Sequence, residues 1–265
     1  MALFCKLVWT SLKQQTTYRA AIAAGLATNL FFGFLRAAVL IALFNSAQTQ
    51  QMGGMDQIDS INFVAISQGV ITFLVIFGSN DLMRTVYSGE VGSDLLKPVS
   101  LFTYWLARDL GKALVNLVLR GVLFMLLFSL FYEVRLPQSL EQWLAFCIAL
   151  SLAWLVSFAW RFLVNLASFW TPEAIGIGRA AFAFSQLFSG FYMPLNLLPE
   201  WFAKLAAYTP FPSILNTPMQ IYLGKLGGAD LAGAFATQFL WFLGLFGLCM
   251  LAQRAGVRRL VVQGG

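Results

Sequence analysis

Apolar runs about as long as a lipid bilayer is thick recur along this chain, and they constrain its fold more than any other feature. A helix that crosses the hydrocarbon needs about 20 consecutive apolar residues. Such runs occupy residues 20–44, 61–82, 143–169 and 231–252; a shorter one spans 174–188, and another, entered through Leu101 to Leu110, closes near Tyr132. Of the 265 residues, 59% are hydrophobic and 11% charged, whereas soluble domains carry about 25% charged residues. In lipid every backbone N–H and C=O must be satisfied within the protein, which leaves helices or closed barrels. Runs this continuous predict helices, so the fold class is an all-α integral membrane protein with six transmembrane helices.

Charge placement orients them, because Lys and Arg accumulate in cytoplasmic loops. Residues 45–60 contain Asp56 and Asp59 but no Lys or Arg, so they face outward. Arg84, Lys97, Arg108 and Lys112 gather after the second run, and Arg254, Arg258 and Arg259 follow the last. Both sets mark the cytoplasmic side and place both termini there. Of the basic residues, Arg135, Lys204 and Lys225 then lie outside. The net charge of +6 is not clustered densely enough to follow a phosphate backbone, which argues against nucleic acid as a partner.

In residues 1–19, Leu3, Phe4, Leu7, Val8 and Leu12 share one side of a helix, while Lys6, Lys13, Gln14 and Gln15 fall largely elsewhere. This predicts an interfacial amphipathic helix anchored by Trp9, or else a ragged start to the first span. No compact apolar core with a small-residue cleavage site marks a signal peptide.

Residues 189–230 combine Pro194, Pro199, Pro210, Pro212 and Pro218 with many Phe, Leu, Trp and Tyr. Prolines at this density cannot sit in one spanning helix, and lipid does not tolerate the backbone groups they free. Short re-entrant helices shielded by protein satisfy both constraints. They would form an extracytoplasmic hairpin between spans five and six.

The residues for several chemistries are missing. Histidine is absent, and Cys5, Cys147 and Cys249 are scattered, so neither zinc nor a disulfide framework is expected. Gly111-Lys112-Ala113 and Gly224-Lys225-Leu226 lack the rest of a phosphate-binding loop. The expected span interiors hold no Asp or Glu, with Asp81 and Asp109 placed near span ends, which weakens the alternative of an ion-coupled secondary transporter. Arg36 and Arg161 do fall within spans. Arg161, near mid-span, and Arg36, nearer the outer end, either contact an anionic or polar substrate in the path or snorkel or pair with carbonyls, and the position of Arg36 favours snorkelling.

Two punctuated stretches carry a family resemblance. Gly89-Glu90-Val91-Gly92-Ser93-Asp94-Leu95-Leu96-Lys97-Pro98 follows span two. Ser189-Gly190-Phe191-Tyr192-Met193-Pro194, Leu198-Pro199-Glu200-Trp201, Thr209-Pro210-Phe211 and Gly224 precede the last span. Together they resemble the permease subunit of an ABC-2 type ABC transporter, within a bacterial subgroup of poorly defined substrates. The resemblance covers residues 1–265 as one transmembrane domain.

It implies that the cytoplasmic loop 84–100 holds a coupling helix centred on Glu90 to Leu95. There Glu90 and Asp94 would offer charge, and Val91 and Leu95 apolar contact, to a separate ATPase. It implies that the hairpin 189–230 caps the path, with Gly190, Phe191, Met193, Pro194, Leu198, Pro199 and Trp201 as an outer gate. The partners implied are two ATPase subunits that bind ATP and Mg, a second permease, identical or related, and membrane lipid. The chain itself would be non-catalytic and would hold no cofactor. The complex would sit in a bacterial inner membrane and export an amphipathic or hydrophobic drug, peptide or lipid.

Overall fold

In the computed structural model, residues 2–17 and 19–259 are described. Met1, Tyr18 and residues 260–265, parts of the expected N-terminal helix and cytoplasmic tail, lie outside them. The chain opens with α1 (Ala2–Thr16) and α2 (Arg19–Ala47). α1 packs along a later helix, α6 (Leu101–Asn116). The Ser11 hydroxyl donates to the Arg108 carbonyl at 2.6 Å, and a Cβ at Gly111 would stand 2.5 Å from the Val8 carbonyl oxygen. This close approach explains the glycine.

The loop after α2 corrects a purely helical reading. β1 (Gln51–Met52) and β2 (Met55–Asp56) pair antiparallel, Gln51 with Asp56 and Met52 with Met55. Gly53 and Gly54 turn the corner at φ of 55° and 73°, the positive values that a two-residue hairpin loop needs. Asp56 then caps α3 (Gln57–Leu74), accepting the Asp59 N–H at 2.6 Å.

The 61–82 run is not one helix. α3 stops at Leu74, where Val75 adopts a left-handed cap at φ 51°, and α4 (Asp81–Tyr87) begins after an unwound segment. Side chains from α8 (Leu140–Leu166) satisfy the backbone this frees. Ser157 Oγ donates to the Leu74 carbonyl at 2.5 Å and Asn165 Nδ2 to the Ser79 carbonyl at 2.6 Å. Asn165 Oδ1 accepts the Met83 N–H at 3.2 Å. Unwound backbone at such a depth is stable only where protein supplies partners like these.

After the short α5 (Val91–Leu95), Ser100 caps α6 by accepting the Thr103 N–H. α6 runs through a π-helical turn (Leu117–Val122) into α7 (Leu123–Phe128). Within that turn Gly121 lies against the Gly69 carbonyl, which a Cβ would approach to 2.3 Å. α8 starts at the Ser139 cap; α9 (Ala174–Phe188), α10 (Glu200–Ala207), α11 (Asn216–Tyr222) and α12 (Gly228–Val257) complete the chain.

Among the described residues, four helical stretches are long and apolar enough to cross a membrane: Ile22–Ala47, Leu101–Phe128, Leu140–Phe169 and Gly228–Val257. α3 and α9, with 18 and 15 residues, extend only about 27 and 22 Å at 1.5 Å per residue. α8 is the central helix. Its Phe158 and Phe162 stand edge-on to Phe102 of α6, which also meets Phe246 of α12, all with centroids near 5 Å. α2 and α12 instead expose apolar faces, including Phe31, Leu35 and Val39 on one and Leu240, Leu248 and Leu251 on the other.

Candidate functional site

The packing of α6 against α8 joins two residues that look unrelated in sequence. Arg161 stands close to the C-terminal end of α8, not at its middle, and its Nη1 and Nη2 donate to Asp109 Oδ1 and Oδ2 at 2.7 and 2.9 Å. Asp109 lies inside α6, not at a helix end, and Oδ2 also accepts the Trp154 indole N–H at 2.9 Å. Both side chains are nearly buried, 5% and 13% exposed. A two-pronged pair of this kind neutralises both charges and satisfies the arginine fork. Beside it Lys112 meets Asp81 at 2.6 Å. The adjoining cavity of about 40 Å³ holds a water or two and no substrate.

The loop between α4 and α6 presents a defined surface. Gly89, at φ 77°, reverses the chain into α5. Val91 is 1% exposed and faces the core, while Asp94 is buried against Lys97 at 2.6 Å. Lys97 Nζ also lies 3.7 Å over the Tyr104 ring. Burial acts to lower the Lys97 ammonium; Asp94 and Tyr104 outweigh it and hold it above the usual lysine range. Leu95 is half-buried against the core. The outward residues are Glu90, Ser93 and Leu96, the last 88% exposed. Of the four residues the resemblance assigns to docking, Glu90 alone is fully on the surface.

On the opposite face the chain between α9 and α12 is broken and tied. Gly190 turns at φ 82°; the Asn216 N–H donates to the Ser189 carbonyl at 3.1 Å, and Asn216 Oδ1 accepts the Leu195 N–H at 3.4 Å. Gln238, fully buried in α12, donates Nε2 to the carbonyls of Ser213 and Ala149 at 2.9 and 3.0 Å. It supplies a donor to a carbonyl that the proline-broken chain leaves free. The named gate residues divide by exposure. Phe191 and Pro194 are buried, Met193 and Leu198 half-buried, Pro199 and Trp201 exposed.

The outer β-hairpin leans on this segment, with Asn196 Nδ2 donating to the Gly53 carbonyl at 3.3 Å. Nearby, Arg135 Nη1 bridges Asp56 and Asp59 at 3.1 and 2.8 Å, and Lys225 reaches Asp59 at 2.6 Å. Burial acts to raise the Asp56 carboxyl, but the Asp59 N–H and the Arg135 guanidinium prevail and hold it below the usual carboxylate value.

Arg36 differs from Arg161. It sits near the middle of α2 with Nη1 3.4 Å from Ser67 Oγ and its guanidinium carbon 4.9 Å from the centre of the Phe191 ring. Its Nε and Nη2 are buried without a partner.

A family model described as ABC-2 family transporter protein matches residues 32–264. The chain belongs to the ABC-2 transporter family. As an ABC-2 permease it is a multi-pass membrane component of a transporter, and the matched region contains both the α5 loop and the broken outer segment. No curated protein matches it at a significant level.

Two residues of this permease escape the sequence reading. Asp109 looks like a helix-end acid because its partner is 52 residues away on another helix. Arg120 is a further arginine inside an apolar run, a signal the sequence does contain. It lies in the π-helical turn with Nη2 3.4 Å from Asn29 Oδ1 and Nε unpartnered. Among the described residues, no group of three or more Cys, Asp or Glu could hold a metal.

Proposed function

We propose that the chain is the transmembrane subunit of an ATP-driven exporter in a bacterial inner membrane, working as a dimer with itself or a related permease above two ATPase subunits. α3 and α9 complete a set of six spans, with both termini in the cytoplasm. ATP and Mg are bound by the ATPases, and the cargo is amphipathic or hydrophobic. One observation carries this reading: the outward face of the α5 loop, where Glu90, Ser93 and Leu96 project while Val91 and Asp94 anchor the loop to the core. A small rigid helix of this kind, fixed from within and bare outside, suits docking into a cleft on a motor subunit and transmitting its closure.

The broken outer segment supports the same reading. Its buried half, Phe191 and Pro194, closes onto the spans, and its exposed half, with Trp201, presents a surface to a partner.

Co-purification in mild detergent tests the proposal. The permease is expected to bring down an ATP-hydrolysing subunit, and Glu90→Lys combined with Leu96→Glu to lose it while inserting and folding normally. Asp94 is left intact because reversing it would break the Lys97 pair. An absent ATPase, or its retention by the double variant, sinks the docking assignment.

A further inference from the structure

Among the described residues, Arg36 and Arg120 are the basic side chains with buried nitrogens that no hydrogen bond satisfies. Lys97, Lys112, Arg135, Arg161, Lys204 and Lys225 each pair with a carboxylate. Arg36 and Arg120, both in apolar helices at depth, have no such partner among the described residues. Their contacts to Ser67 and Asn29 are single and long, 3.4 Å each. Four buried donors remain unpaired there: Arg36 Nε and Nη2, Arg120 Nε, and Asn29 Nδ2. A cationic donor buried without an acceptor is costly in any low-dielectric medium, and such groups mark sites that a ligand completes.

The surroundings define the ligand. Arg120 lines an open groove of about 180 Å³ with Ile71, Thr72, Val75, Phe77 and Asn116. Phe77 leads from that groove to the other arginine, because its ring meets Phe191 edge-on at 5.4 Å and Arg36 lies over Phe191. At the inner end Asp81 and Asp109 are already neutralised by Lys112 and Arg161, so they do not oppose an anion. A Cβ at Gly25 would come within 2.4 Å of the Arg120 guanidinium, so the glycine lets that long side chain lie against α2. The chain thus keeps α2 close to this cation.

We infer that Arg36 and Arg120 bind the acidic headgroup of an anionic amphiphile, a phosphate or carboxylate carried on an apolar tail, with Phe77 and Ile71 contacting the tail. The guanidinium fork matches these oxyanions. The inference deepens the export reading, on which it rests for the groove being part of the substrate path. Binding itself needs no ATPase.

The test uses the full-length permease alone in phosphatidylcholine nanodiscs, titrated with phosphatidylglycerol or with glycerol phosphate and followed by native mass spectrometry. Saturable phosphatidylglycerol binding is expected, with glycerol phosphate far weaker. Arg36→Gln with Arg120→Gln should weaken it by about tenfold or more, as loss of charge-assisted bonds does, while R36K with R120K keeps most of it. The Gln pair should melt no lower than the parent and keep its oligomeric state.

Unchanged phosphatidylglycerol binding in the Gln pair, or none in the parent, overturns the site. Glycerol phosphate binding as tightly as the lipid overturns the amphiphile. A Gln pair that loses stability or oligomeric state shows the guanidiniums to be structural contacts, and also overturns it. Because these readouts omit the ATPase, a missing motor subunit and a missing anion site give different results.

Discussion

Arg161 on α8 and Arg36 on α2 are the same residue type on two long apolar helices, yet their surroundings are opposite. Arg161 is enclosed by α6, both prongs of its fork taken by Asp109, with Ser157 Oγ 3.4 Å from Nε. Arg36 faces a hydroxyl and an aromatic ring and leaves two nitrogens unpaired. Arg120 follows Arg36. The contrast teaches that a charge within a span is not one kind of feature. Where α6 packs against α8, the charge is cancelled and serves cohesion; at Arg36 and Arg120, buried nitrogens are left without a partner from the described residues.

The comparison breaks most visibly at Asp109. Asp109→Leu leaves the Arg161 guanidinium buried and unpaired, and breaking a buried pair from one side costs about 3–5 kcal/mol. Thermal melting in detergent should fall accordingly. Adding Arg161→Met should recover most of the loss, since replacing both partners by apolar groups is close to neutral. A D109L single variant that melts like the parent would mean the pair is not cohesive. The Arg36 and Arg120 substitutions, by contrast, should not destabilise.

Gln238 sharpens the same rule for neutral groups. Gln238→Leu leaves the Ser213 and Ala149 carbonyls without this donor, and an unsatisfied buried polar group costs about 1–3 kcal/mol. The expected result is lower melting and faster proteolysis of the 189–230 segment. Equal proteolysis of parent and variant would show that the bond does not hold the broken chain.

The smallest expected effect lies outside the membrane. The Asp56 carboxyl is held below its ordinary value of 3.8, so it contributes stability that is fully present above that value and is lost as pH falls through the lowered one. With both partners substantially exposed, the contribution is under about 1 kcal/mol. Melting followed through acid pH should show it, and Asp56→Asn should flatten that part of the profile; an identical profile in the variant would remove the claim.

Much of this architecture is legible in the chain as written. The apolar runs name the solvent, the prolines after Ser189 name a break, and the family resemblance points to a short helix near Glu90 to Leu95, where α5 stands. The early end of α3 is harder to see, because Ile76 and Phe77 continue the apolar run past Leu74 and a hydropathy pattern does not register a left-handed Val75. Its stability depends on Ser157 and Asn165, which arrive from α8. The gate residues divide for the same reason. Phe191 and Trp201 are both large aromatics in one loop, and only the neighbours they meet separate the buried one from the exposed one.

The sequence by itself determined the membrane class and the two stretches where regular helix gives way. Those are properties of composition and local backbone chemistry, which act along the chain. Tertiary structure decided which charges close on one another and which stay open. Asp109 and Arg161 meet because α6 and α8 are rotated to face each other, and a rotation about a helix axis is set by packing against every neighbour at once. No local pattern records it.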